Sequence, residues 1–231
     1  MQEVVPVNST HRNSQDTRLL DALGAGNSST RLQAALAVGT HPGPGLVDAL
    51  VARCAIEPDF YVRDMLTWAL TRFPAEITVP RLCAELRSER AQARSQALHT
   101  LSKIGDGNAW PAITRSLLCD ADDEVARSAW RAAVVLAPGG DRRGLAAELA
   151  TQLGRGDRHV QLSLSRALVA LADVIEAALQ TGLASDDPAV CAHARATERL
   201  LHDPDAGFDP AVDEAKRIAA LGPEEVEGTA C

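Results

Sequence analysis

The sequence predicts an all-α chain assembled from repeated helix pairs, and three patterns in register with one another predict it. Arginines stand at 31, 63, 94 and 127, at steps of 32, 31 and 33, and Gln161 and Cys191 continue the series at steps of 34 and 30. Apolar residues move with these anchors. Three residues after each come Ala34, Leu66, Ala97, Trp130, Leu164 and Ala194, and seven after come Val38, Leu70, Leu101, Val134, Leu168 and Glu198. Offsets of three and seven trace one face of a helix, so each unit opens with an amphipathic helix. Four residues before the anchors stand Asn27, Asp59, Arg90, Asp123, Asp157 and Asp187. Asn and Asp are good N-cap residues, because their side-chain oxygen accepts a bond from an orphan N–H of the first turn. At Arg90 the cap role passes to Ser88 or Glu89.

Taken in order, residues 1–15 read as a flexible N-terminus and 16–24 as a lone leading helix. First helices then start after each cap. Second helices are expected around 78–86 and 109–117, where Pro80 and Pro111 lie 31 residues apart. Proline is tolerated at the first helical position, so both are expected to open their helices. Later units break at Pro138-Gly139-Gly140 and around Ala172-Asp173. A closing helix is expected at 209–221 within a capping region 203–221, and the last ten residues, 222–231, read as a disordered acidic tail ending in an exposed Cys231. The body is thus 16–202. Its last unit carries Thr197 and Glu198 where apolar residues are expected, as a terminal repeat with no neighbour to cover tolerates.

Asp59-x-x-Val62-Arg63 with Ala69-Leu70, Ala93-Arg94 with Leu101 and Ile104-Gly105-Asp106, and Asp123-x-x-Ala126-Arg127 carry a resemblance to the HEAT-like repeat family. The form resembled is the short bacterial one first associated with phycobilisome lyases, over residues 27–202. The resemblance implies a right-handed α-solenoid of about five to six HEAT-like helix pairs, with second helices lining a concave face. One such pair cannot bury its apolar side alone, and stacking on neighbours buries it.

Charge and composition restrict function. Net charge is −8, but residues 203–231 hold eight acidic residues against Lys216 and Arg217, which leaves the body close to balance. A nucleic-acid binder would show a basic excess, so nucleic acid is not the expected partner. No apolar run approaches the roughly 18–20 residues that span a membrane. The polar start lacks the apolar region of a signal peptide, which points to a cytoplasmic protein. Five dispersed cysteines without C-x-x-C spacing fit free thiols.

No catalytic motif emerges, and no cofactor or metal site is expected. Gly-rich phosphate loops, G-x-S-x-G and H-E-x-x-H are all absent. HEAT-like deoxyhypusine hydroxylases use His-Glu dipeptides as iron ligands, and none of the six histidines here precedes a glutamate. Cys191 and His193 lie two residues apart, a spacing that does not share a helix face. HEAT-like alkyl-base glycosylases, which use aromatic and acidic residues over a basic concave face, resemble the chain in fold, and Trp68, Trp110, Asp64 and Arg115 are the candidates for such a role, with no further motif matched and net charge of the wrong sign. A phycobilin lyase would need an aromatic chromophore surface, and aromatics are 3% of the chain.

The expectation is therefore a non-catalytic scaffold for a protein partner. Its candidate surface comprises Arg81, Glu85, Trp110, Arg115, Arg142, Arg143 and Glu148, mixed in charge as suits a protein surface. Trp130 is expected in the core and Trp68 at its border. The anchors Arg31, Arg63, Arg94 and Arg127 are expected to meet capping carboxylates of neighbouring units, in a ladder that fixes register. A small-molecule-sensing domain is the alternative, and an apolar pocket would favour it.

Overall fold

The computed structural model describes residues 7–205, 207–209, 215 and 219. The closing helix expected over 209–221 falls almost entirely outside the described residues, and the tail with Cys231 wholly so. The described chain is helical, with no strand among its residues. It divides into two compact units, with the boundary between Ala112 and Ile113.

The first unit contains α1 (Val7–Leu23), α2 (Ser28–Thr40), α3 (Val47–Cys54), α4 (Phe60–Leu70), α5 (Ala75–Glu85) and α6 (Ala91–Ile104), with 3-10 turns at Pro44–Leu46 and Gly107–Ala112. Helix α1 begins well before the boundary expected at residue 16. Helices α2, α4 and α6 pack in succession, while α3 lies against α4, α5 and α6. The second unit contains α7 (Arg115–Leu118), α8 (Asp123–Leu136), α9 (Arg142–Ala150), α10 (Arg158–Val169), α11 (Glu176–Leu183) and α12 (Pro188–His202). Here α8, α10 and α12 pack in succession, and α7, α9 and α11 form a second row.

Local chemistry fixes the helix starts. The Asn27 side chain accepts from the Ser29 and Thr30 N–H groups, Asp59 from Val62, Asp157 from His159 and Val160, and Asp187 from Ala189. In the fourth unit the expected cap is off by one. Asp122, not Asp123, caps α8, accepting from Glu124 and Val125. At Arg90 no side chain caps α6, and the Ser88 hydroxyl instead accepts the N–H of Arg90 itself at 3.3 Å. The residue two before the cap plays this part again at Glu57, Asp120 and Ser185, which accept the N–H of Asp59, Asp122 and Asp187.

Counting from the true caps, the core position seven residues on is Ala34, Leu66, Ala97, Ala129, Leu164 and Ala194, each at most 4% exposed. A fully buried leucine in this row, such as Leu66 or Leu164, contributes about 1.5–3 kcal/mol. Small residues in the same row let neighbouring helices approach. At Gly39 an added Cβ would lie 2.9 Å from the Ala69 Cα, and the Trp68 ring closes over the same point.

The second helices depart from expectation. Pro80 does not open a helix; it lies inside α5, which starts at Ala75 after Pro74. The helix survives because Pro80 is on the exposed side, as is Glu76, whose carbonyl loses its i+4 donor and is left to solvent. Pro111 falls in the 3-10 turn Gly107–Ala112, and the helix that follows, α7, has only four residues. The breaks at Pro138-Gly139-Gly140 and Ala172-Asp173 separate α8 from α9 and α10 from α11, as expected.

Candidate functional site

Two of the anchor arginines lie within electrostatic reach of the capping carboxylate of the next unit, Arg31 of Asp59 and Arg127 of Asp157. Arg31, Arg63 and Arg94 also clamp their own leading loops. Arg31 Nη1 donates to the carbonyls of Ala25 and Gly26, Arg63 Nη1 to those of Glu57 and Pro58, and Arg94 Nη1 to those of Ser88 and Glu89. Gln161 Nε2 does the same to Gly156 at 3.2 Å. Arg127 takes no part, because with Asp122 as the cap the equivalent position is Ala126; Arg127 pairs with Glu124 one turn back. The guanidinium fork and the amide both supply the N–H donors that two adjacent loop carbonyls require.

A ladder of exposed ion pairs also runs between successive helix pairs. Asp48 meets Arg81 at 3.0 Å, Arg115 meets Glu148 at 2.7 Å, Asp123 meets Arg155 at 2.8 Å and Arg142 meets Asp173 at 2.8 Å. These partners lie 33, 33, 32 and 31 residues apart, one repeat step. Ser165 and Thr197 share a hydrogen bond of 2.7 Å at the same separation, deep in the second unit.

Four of the seven residues of the expected surface, Arg81, Arg115, Arg142 and Glu148, take part in this ladder. Arg81 is paired with Asp48. Arg115 and Glu148 are brought together, and the Cys119 thiol donates to the same Glu148 oxygen at 3.5 Å. Burial first, then Glu148, raises the Cys119 pKa, so it is a poor nucleophile. Arg142 donates to the Ala170 carbonyl as well as to Asp173, whose carboxyl is held below its ordinary value by that guanidinium. Glu85 is half-buried on α5, and Trp110 is half-buried in the 3-10 turn. Arg143 alone of the expected arginines is exposed without an ion-pair partner among the described residues. Trp130 is fully buried, its Nε1 donating to the Leu118 carbonyl at 2.8 Å, and Trp68 is 37% exposed.

Two buried polar centres escaped sequence reasoning. In the first unit Glu57 is fully buried. Its carboxylate accepts from Arg31 Nε and Nη2 and from Arg53 Nε, each at 2.7 Å, and from the Asp59 N–H at 2.9 Å. Burial alone would push its pKa up. The Arg31 fork, the Asp59 N–H and Arg53 outweigh that and hold it at about 2.

In the second unit His193 is fully buried. Its Nδ1 accepts the Gly154 N–H at 3.0 Å, and its Nε2 lies 3.0 Å from both the Gln161 carbonyl and the Ser165 hydroxyl. Gly154, at φ +82°, takes the left-handed conformation that aims this N–H. Because Nδ1 must be bare, the proton sits on Nε2, and burial lowers the pKa to about 4. The Ser165–His193 pair has the separation of a nucleophile and its base, yet an Nε2 that carries a proton does not accept one from serine. Both side chains are also sealed from solvent.

Among the described residues, no three His, Cys, Asp or Glu side chains converge as metal ligands. Cys54 and Cys83 are free thiols, with Cys54 pushed by burial up to about 12. Cys191 is fully buried in α12, its Sγ 3.5 Å from the Leu183 carbonyl. No helix of the described residues is long and apolar enough to cross a membrane.

Two surfaces remain uncommitted. The chain has one tyrosine and three phenylalanines, and Tyr61 and Phe60 are 73% and 66% exposed at the start of α4. Their rings meet edge to face at 5.6 Å, and the Arg63 guanidinium lies 6.0 Å from the Phe60 ring centre. Ile56, in the loop just before, is 52% exposed. In the second unit a cleft of about 470 Å³ opens between α9 and α11, with Arg143 among its lining residues. Comparison with protein-family models and with curated protein sequences returns no match.

Proposed function

We propose that the protein is a non-catalytic protein-binding module, a right-handed HEAT-type α-solenoid that anchors its partner through Phe60 and Tyr61. One observation carries the reading: in a chain with so few aromatic residues, two adjacent ones stand in solvent, held edge to face, on a helix start that is itself rigidly capped. Burial of exposed aromatic side chains supplies much of the energy at protein interfaces, and tyrosine and arginine are over-represented at their energetic centres. Successive helix pairs with in-phase caps and a ladder at one repeat step support the solenoid part of this reading, since stacked repeats produce both. The partner fitted to this surface is a protein segment with aliphatic side chains to cover the two rings and an acceptor for the Tyr61 hydroxyl.

The experiment is affinity purification of the tagged chain from its own cells at low and high salt, in parallel with the double variant Phe60→Ala, Tyr61→Ala. A stoichiometric protein retained at high salt by the wild type and lost from the variant is expected. Equal retention by both would overturn the assignment of the surface, and retention of nucleic acid alone would overturn the reading. The cleft between α9 and α11 favours a second reading, a regulatory module that holds a small ligand.

A further inference from the structure

We propose that the cleft between α9 and α11 binds an aliphatic monocarboxylate, with its carboxylate on the Arg143 guanidinium. The inference rests on the second reading above and is independent of the Phe60–Tyr61 surface. The cleft is built by matching faces of two helices. Arg143, Ala147 and Ala150 recur at helical spacing along α9, while Ala177, Ala178 and Thr181 do so along α11. Alanines at these positions keep the helices' facing sides low, which leaves the space between them open. Its volume, about 470 Å³, falls in the range of small-molecule sites, which are mostly apolar with a few polar groups to orient the ligand.

The lining sets the class of ligand. It contains one charged side chain, Arg143, and no carboxylate. The contrast with Arg142 is informative: that neighbour is neutralised by Asp173, whereas Arg143 has no ion-pair or hydrogen-bond partner among the described residues. A guanidinium presents a planar fork that matches a carboxylate in two parallel hydrogen bonds. With no second cation in the lining, a dianionic head would keep uncompensated charge, so a single negative charge fits. No aromatic side chain lines the walls, so there is no stacking platform for a ring, and Ala, Val and Leu suit a flexible aliphatic chain. From Arg143 to Thr151, just beyond the other end of α9, is about 12 Å along the helix axis, enough for an extended tail to lie against it.

Octanoate, octanol and octyl phosphate titrated calorimetrically into the full chain test this. Octanoate is expected to bind saturably, with a negative heat-capacity change from apolar burial. Octanol and octyl phosphate are expected to bind more weakly. Arg143→Met should weaken octanoate about tenfold or more, as loss of a charge-assisted hydrogen bond does, and leave octanol unchanged. Ala147→Trp, at an exposed position of the cleft wall, should abolish binding of both with helicity retained. Absence of saturable octanoate binding, octanol or octyl phosphate binding as tightly as octanoate, or undiminished binding in the Ala147→Trp variant would each overturn the proposal. None of these outcomes bears on protein capture by Phe60 and Tyr61.

Discussion

Replacing Glu57 by Gln removes one negative charge and almost no volume. The structure specifies what is left behind. Arg31 is 5% exposed and donates two N–H groups to this carboxylate, and the Arg53 side chain, 17% exposed, donates a third. Glutamine keeps one acceptor oxygen, and its amide group points N–H at a guanidinium that also carries only donors. Two guanidinium groups then remain with no carboxylate bonded to them, Arg31 feeling only the Asp59 charge beyond bonding distance. Breaking a buried pair by deleting one partner costs about 3–5 kcal/mol, and the retained oxygen places Glu57→Gln near the lower end, about 3 kcal/mol. Urea unfolding at pH 7 followed by circular dichroism measures it, with amide exchange in α2 and α4 to assign the loss to the first unit.

Acidification supplies an independent check of the same site. The Glu57 pKa is about 2 folded against an ordinary 4.5, so the unfolded chain binds the proton first. The stabilisation is complete above pH 4.5 and is lost as pH falls from there towards 2. The variant should lack this part of the acid slope. A loss below about 1 kcal/mol, or an unchanged acid slope, would refute the reasoning, because an exposed pair behaves in that way.

Three further outcomes follow from the same structure. His193 is neutral when folded, with a pKa of about 4 against 6.5, so the unfolded chain takes up the proton first and stability should fall as pH drops from 6.5 towards 4; the difference in urea midpoint between wild type and His193→Gln across that window tests it. Asp122→Ala should cost about 1 kcal/mol as the loss of a true N-cap, against about half a kcal/mol or less for Asp123→Ala at a half-exposed ion pair; melting of both variants discriminates the two registers. Gly39→Ala drives a methyl group into the Trp68 ring and the α4 backbone and should cost about 3 kcal/mol, the upper end for overpacking, with Trp68 fluorescence reporting the displacement.

Features decided within a few residues of sequence were legible. Asn27, Asp59, Asp157 and Asp187 cap where expected, since a cap depends only on its own side chain and the turn that follows. The fourth unit misleads because two aspartates are adjacent and Arg127 mimics an anchor, while the burial of Ala129 and Ala133 shows the true phase. The start of α5 misleads because proline is assigned to first turns, yet an exposed helix face accommodates Pro80.

What depends on distant partners was not legible. Glu57 looks like a loop acid beside Pro58, and its role comes from Arg31, 26 residues away. Arg142 and Arg143 are equivalent as a dipeptide, and only the position of Asp173 separates them. Phe60 and Tyr61 did carry a signal, since they follow a cap directly, where polar residues normally face solvent. The cleft has no sequence motif at all, because it is the space left by alanines on two helices.

The loop clamp asks for N–H donors rather than for positive charge, as Gln161 demonstrates by closing on Gly156 with a neutral amide. Helix starts secured in this way are indifferent to ionic strength, which screens exposed charges but not a bond to a carbonyl. The outward electrostatic character of such a chain is therefore free to drift from one unit to the next without loosening its architecture. A lineage can re-tune what it attracts by exchanging arginine for glutamine at an anchor such as Arg63, whose loop stays closed while the field around the molecule changes; Arg31, which also neutralises the buried Glu57, does not share this freedom.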